Sequence, residues 1–194
     1  MLGPKIEALP DDHHSKPICL FYLSRLFQLI GNYVEAKRLL THTLELKKQR
    51  GDGVWIARTL RNLSTVNLQL GLYEEGIRQV EEGLEIFEQM GDKRGQIQCL
   101  KNLGWLFSID GQLDAAENAT SCAINLIPEE GKEILLCQLH HVLGHIYQSK
   151  GDKKEATFHF ETAIGVTSHF NQHNQLFLVL FFFFLNLFLS RSTM

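Results

Sequence analysis

Proline is scarce in this chain, and so is charge of one sign. Only four prolines occur in 194 residues, and three of them fall in the first seventeen, MLGPKIEALPDDHHSKP. That polar stretch cannot continue a helical pattern and is expected to be a disordered lead-in, residues 1–17, with Pro17 suited to the first turn of the helix that follows. The formal net charge is -3 and the sequence pI about 6.3, which argues against a general nucleic-acid binder while leaving a local basic surface open. The four cysteines, Cys19, Cys99, Cys122 and Cys137, form no CxxC pair, so they read as small thiols at helix-packing positions rather than as disulfide or metal partners. No signal-peptide pattern opens the chain, so the expected compartment is the reducing cytosol, where the N-x-S/T matches at Asn62 and Asn118 are inert. No GxxxxGK[ST] stretch occurs, so no phosphate-cradling loop can be placed.

What is present is a repeat of about forty residues. Glycines stand at Gly31, Gly71, Gly111 and Gly151, each followed at five residues by a small one, Ala36, Gly76, Ala116 or Ala156. Before each glycine lies an apolar ladder: Leu20, Leu23 and Phe27; Leu60 and Leu63; Leu100, Leu103 and Phe107; Leu143 and Tyr147. Steps of three and four mark one face of a helix, so each block reads as helix, glycine turn, helix. A second turn is in phase at Gly51, Gly91, Gly131 and Asn171, with Asp52 and Asp92 placed to cap the next helix. A period of this size is the signature of an all-α solenoid, in which each unit buries its apolar face only by stacking on the next. The array is expected over residues 18–175, with repeats at about 18–50, 51–90, 91–130 and 131–170.

These residues resemble the tetratricopeptide repeat family. The third block carries the whole pattern in Leu100, Leu103, Gly104, Phe107, Gly111, Ala116, Ala123 and Pro128, and the fourth nearly so in Leu143, Gly144, Tyr147, Gly151, Ala156, Phe160 and Ala163. The second departs at Ser64, Asn67, Gly76, Val80 and Gly83, and the first at Ser24 and Thr43, small or polar substitutions that keep close approach at tight helix crossings possible. The forty-residue spacing and the Gly-Asp turns are similar to the long repeats of Pins-type spindle-orientation adaptors. They are similar also to the arrays that follow NB-ARC-type nucleotide-switch domains in fungal signalling proteins. The resemblance implies a right-handed superhelix of four helix pairs plus a partial fifth first helix, acting as a non-catalytic protein-interaction scaffold. A fragment or stand-alone relative of the sensor or self-association array of a nucleotide-switch signalling protein, and a membrane-tethered adaptor, are the alternatives.

In such a superhelix the first helix of each pair lines a concave groove. The positions alternating with the ladder are Phe21 and Arg25; Arg58, Arg61 and Thr65; Gln98, Lys101 and Trp105; Gln138, His141 and His145. Arg61, Lys101 and His141 occupy equivalent places, so they are expected to form a basic row suited to an acidic peptide or a free C-terminal carboxylate, with Trp105 as the apolar anchor. The competing reading is an ordinary charged helix surface with Trp105 packed under a neighbour. Asn62 and Asn102 match one asparagine place of the chaperone-tail-binding clamps in this family, while Thr65 and Trp105 stand where its companion asparagine would be.

No cofactor, metal or catalytic set is expected. His141 and His145, at i and i+4, lack a third and fourth zinc ligand, and His140 sits on the ladder. The run Glu74, Glu75, Glu81, Glu82, Glu85 and Glu88 is a solvated second-helix face. From Gln175 the chain enters a fifth first helix in phase, but Leu176 to Leu189 is apolar all round except Asn186. That tail, residues 176–194, reads as truncated or out-of-frame sequence, as a short membrane anchor, or as a capping or dimerisation helix; it is the one route by which a membrane could be a partner.

Overall fold

A computed structural model of the chain describes residues 3–128 and 133–170. Among these it is all-helical: α1 (Gly3–Glu7), α2 (Lys16–Leu29), α3 (Tyr33–Gln49), α4 (Gly53–Gln69), α5 (Tyr73–Gln89), α6 (Lys93–Ile109), α7 (Leu113–Asn125), α8 (Glu133–Lys150) and α9 (Lys153–Phe170). The helices pair as α2·α3, α4·α5, α6·α7 and α8·α9. The expected fifth first helix and the apolar tail lie outside the described residues.

The turns follow from the glycines. Gly31, Gly51, Gly71, Gly91, Gly111 and Gly151 all have φ between 64° and 83°, a region that L side chains enter only at a cost. After each, the next residue's N–H reaches back five positions to a helix carbonyl: Asn32 to Phe27 at 2.9 Å, Asp92 to Phe87 at 2.9 Å, Gln112 to Phe107 at 2.8 Å. This is the Schellman closure, which satisfies carbonyls the helix end leaves open. Where that next residue is polar and short, it also starts the following helix. Asn32, Asp52, Asp92 and Asp152 accept from the backbone N–H groups of Glu35, Trp55, Gly95 and Glu155, whereas Leu72 and Gln112 make no such side-chain bond.

The structure divides into an N-terminal unit, α1–α7, and a C-terminal unit, α8 and α9. In the first, separate buried apolar clusters join successive helices. Phe21, Ala36, Leu40, Leu63 and Val66 join α2, α3 and α4, and Ala57, Val80, Phe87, Cys99, Leu103, Leu106 and Ala119 join α4 through α7. The ladder residues Leu20, Leu60, Leu63 and Leu103 are all buried. Close crossings use missing side chains: a Cβ on Gly83 would stand 3.2 Å from the Ala57 carbonyl oxygen, and one on Gly95 would enter the Phe87 ring. Cys99 is a core residue, and burial pushes its thiol up to about 12. In the second unit Phe160 of α9 fills the space over Gly144 of α8, where a Cβ would meet its ring at 2.5 Å.

The N-terminal segment differs from the disordered lead-in that its composition suggests. Its anchors are its own Lys16 and two cations, one from α3 and one at the C-terminal cap of that helix. Arg50 donates to the carbonyls of Asp11, His13 and His14, Arg38 bonds Glu7 at 2.7 Å, and the buried Lys16 ammonium bonds the Leu9 carbonyl and Asp11.

Candidate functional site

Charge pairing is uneven in the N-terminal unit. The second helix α3 carries paired cations: Lys37 meets Glu75 of α5 at 2.7 Å, and Lys48 meets Glu82 at 2.9 Å. The glutamate face of α5 is thus partly an ion-pair seam with α3. A set of arginines on first helices behaves differently. Arg25 of α2, Arg58 and Arg61 of α4 and Arg94 of α6 have no carboxylate at ion-pair distance among the described residues, and all four line one concave pocket of about 500 Å³.

The pocket is built by helical stripes. Phe21, Tyr22 and Arg25 come from α2; Trp55, Arg58, Arg61 and Asn62 from α4; Arg94, Gly95 and Gln98 from α6; Phe87 of α5 and the capping Asp92 complete the lining. Its apolar wall is ordered by edge-to-face contacts, Phe21 with Trp55 at 5.3 Å and with Tyr22 at 5.7 Å between centroids. Arg58 lies over the Trp55 ring at 5.6 Å and Lys47 at 4.9 Å, geometry that holds cations against an aromatic face. Asp92, the one carboxylate of the lining, accepts from Gly95 N at 2.9 Å as the cap of α6.

Arg61 is half-buried; burial lowers its pKa, and the charges of Arg58 and Arg25 push the same way. Burial, and then the Arg61 charge, bring the Lys101 ammonium down to about 8. Lys101 donates to Gln98 at 2.9 Å. Asn102 ties the two first helices together, its amide donating to Thr65 Oγ1 at 2.9 Å, Ser64 Oγ at 3.1 Å and the Arg61 carbonyl at 3.2 Å. Asn62 donates to its own helix, at the Arg58 carbonyl. Both asparagines are therefore engaged with backbone or neighbouring hydroxyls rather than presented as a carboxylate clamp.

Of the residues proposed from sequence, Arg25, Arg58, Arg61 and Gln98 come together in this pocket. Lys101 adjoins Arg61 but lies outside the lining, as does half-buried Trp105. The aromatic wall is Phe21, Tyr22 and Trp55. Trp55 was missed because it precedes the ladder of its block, yet Trp55, Arg58 and Asn62 sit at steps of three and four, a stripe the sequence displays. Arg94 and Gln98 form the same kind of stripe on α6. His141 and His145 belong to the C-terminal unit, where they flank the Phe160 seat: His141 to His145 is 4.7 Å and His145 to Phe160 is 5.3 Å between ring centroids. Burial, with the His141 charge, brings His145 down to about 4. No cluster of three metal-ligating side chains occurs among the described residues. Nor is any described helix long and apolar enough to cross a membrane.

Comparison with known proteins places these features. Residues 55–129 and 138–169 match family models described as tetratricopeptide repeat. No curated protein sequence matches the chain. Among solved structures it is similar to BtubC (BKLC) from P. vanneervenii, with a TM-score of 0.73 at 20% identity over 88% of this chain and 70% of that one. A Podosopora anserina putative kinesin light chain with nearly identical TPR-like repeats aligns with a TM-score of 0.70 at 16% identity, over 88% and 84% of the two chains. A Rap protein complexed with Competence and Sporulation Factor aligns with a TM-score of 0.77 at 17% identity over 88% of this chain, which spans 47% of the Rap chain. At these identities the likeness is one of fold.

Proposed function

Since the chain belongs to the tetratricopeptide repeat family, we propose that it is a non-catalytic protein-interaction scaffold whose N-terminal concave pocket binds an acidic peptide segment of a partner. The observation that carries this reading is the unequal pairing of charge. Cations on α3 are matched by carboxylates of α5, while Arg25, Arg58, Arg61 and Arg94 face a common space with no such match among the described residues. Guanidiniums form short, bidentate, charge-assisted bonds to carboxylates, and a partly buried setting strengthens them relative to water. The wall of Phe21, Tyr22 and Trp55 gives the same ligand an apolar contact, and aromatic and arginine side chains are the groups that dominate binding hot spots. The Rap relative, whose solved structure holds Competence and Sporulation Factor, supports ligand binding on this fold.

A titration of the full chain with Glu-rich, Lys-rich and neutral peptides of equal length tests it. The Glu-rich peptide is expected to bind, and Arg25→Glu with Arg58→Glu, both at exposed positions, to weaken it by about tenfold or more, the scale of one or two lost charge-assisted contacts. Equal binding of all three peptides, or an unchanged affinity in the double variant, would sink the proposal.

A further inference from the structure

The same pocket holds more positive charge than one carboxylate needs. Arginines of three helices line it: Arg25 from α2, Arg58 and Arg61 from α4, Arg94 from α6. The only acidic side chain among the lining residues, Asp92, is already engaged in capping α6. A peptide carboxylate offers one charge and two oxygens. A phosphomonoester brings about -1.5 to -2 at neutral pH and three strong acceptor oxygens, which several guanidinium forks can share. The cavity, about 500 Å³, exceeds the volume of a phosphate group several-fold. The remaining wall is the Phe21, Tyr22 and Trp55 surface, suited to an apolar residue next to the charged one.

We propose that this pocket recognises a phosphorylated side chain carried by a peptide, with the four arginines around the phosphate and the aromatic wall beside the flanking residue. This rests on the peptide-binding reading above and names the chemistry of its central contact. The shared chemistry with free phosphate is the dianionic oxygen set; the aromatic wall favours the peptide-borne form.

Fluorescence anisotropy of the full chain tests it with three degenerate peptide pools that differ only at the centre: phosphoserine, glutamate or serine. The phosphoserine pool is expected to bind about tenfold tighter than the glutamate pool, and glutamate tighter than serine. Arg58→Ala with Arg94→Ala, at exposed positions, is expected to erase the phosphate preference with helical content unchanged by circular dichroism; the single Arg94→Gln variant replaces it if the helical signal falls. Equal binding of phosphoserine and glutamate pools, both above serine, overturns the phosphate assignment and leaves acidic-peptide binding standing. Binding of neither pool overturns both. A preference retained in the arginine variants removes it from this pocket, and displacement by inorganic phosphate at the pool's own dissociation constant makes the site one for the free anion.

Discussion

Single residues in this protein do either conformational or electrostatic work, and the two can be separated by substitution. Gly91 has φ 68° and nothing within 4 Å of where a Cβ would stand, so its value is purely conformational. Gly91→Ala is expected to cost about 1–2 kcal/mol in chemical denaturation, with an unchanged m-value. Lys101 is the electrostatic case. Its folded pKa of about 8 lies below the ordinary 10.5, so between those values the unfolded chain binds more protons and stability rises with pH. The Cys99 thiol, held above its ordinary 9.0, pulls stability the other way above pH 9, so the climb is expected in the denaturation midpoint of the wild type relative to that of Lys101→Met. A wild-type midpoint that falls there, relative to the Met variant, contradicts the burial that lowers the ammonium.

Between elements, the turns and helix pairs were legible because their causes are local. A glycine in the left-handed region, an aspartate cap and a ladder at steps of three and four are all written in consecutive letters. The N-terminal segment was not legible, since its order comes from Arg38 and Arg50, some thirty or more residues away in sequence. Nor could ladder counting show that His141 and His145 turn toward Phe160 of α9, which depends on Gly144 leaving room for that ring. Two outcomes follow at this scale. Gly144→Ala gains helix propensity of about 1 kcal/mol but drives a methyl into Phe160, so a net loss of about 1–2 kcal/mol is expected by thermal unfolding. His145, with a folded pKa of about 4 against an ordinary 6.5, contributes stability that is complete above pH 6.5 and lost as pH falls toward 4. The melting temperature should drop over that range, less so in His145→Gln.

For the whole molecule, the sorting of charge matters more than its sum. A chain with a formal charge of -3 nevertheless gathers four arginines into one pocket, because the first helices α2, α4 and α6 line it together, while Lys37 and Lys48 of α3 pair with Glu75 and Glu82 of α5. Sequence periodicity identified Arg25, Arg58, Arg61 and Gln98 for this reason, and it missed Trp55 and Arg94 because those lie in the first turn of their helices, ahead of the ladder. Binding through such a pocket is expected to weaken as salt rises from 0.05 to 0.5 M, on the order of tenfold, while neutral peptides show no such dependence.

The location of the ligand is the most direct test. An acidic peptide carrying a photoreactive group, cross-linked to the full chain and mapped by mass spectrometry, is predicted to label Tyr22, Trp55, Asn62 and Arg94 on the pocket wall. Labels concentrated on α8 and α9, or on the exposed apolar residues Leu29, Ile30 and Val34, with the pocket residues unmarked, would contradict the account.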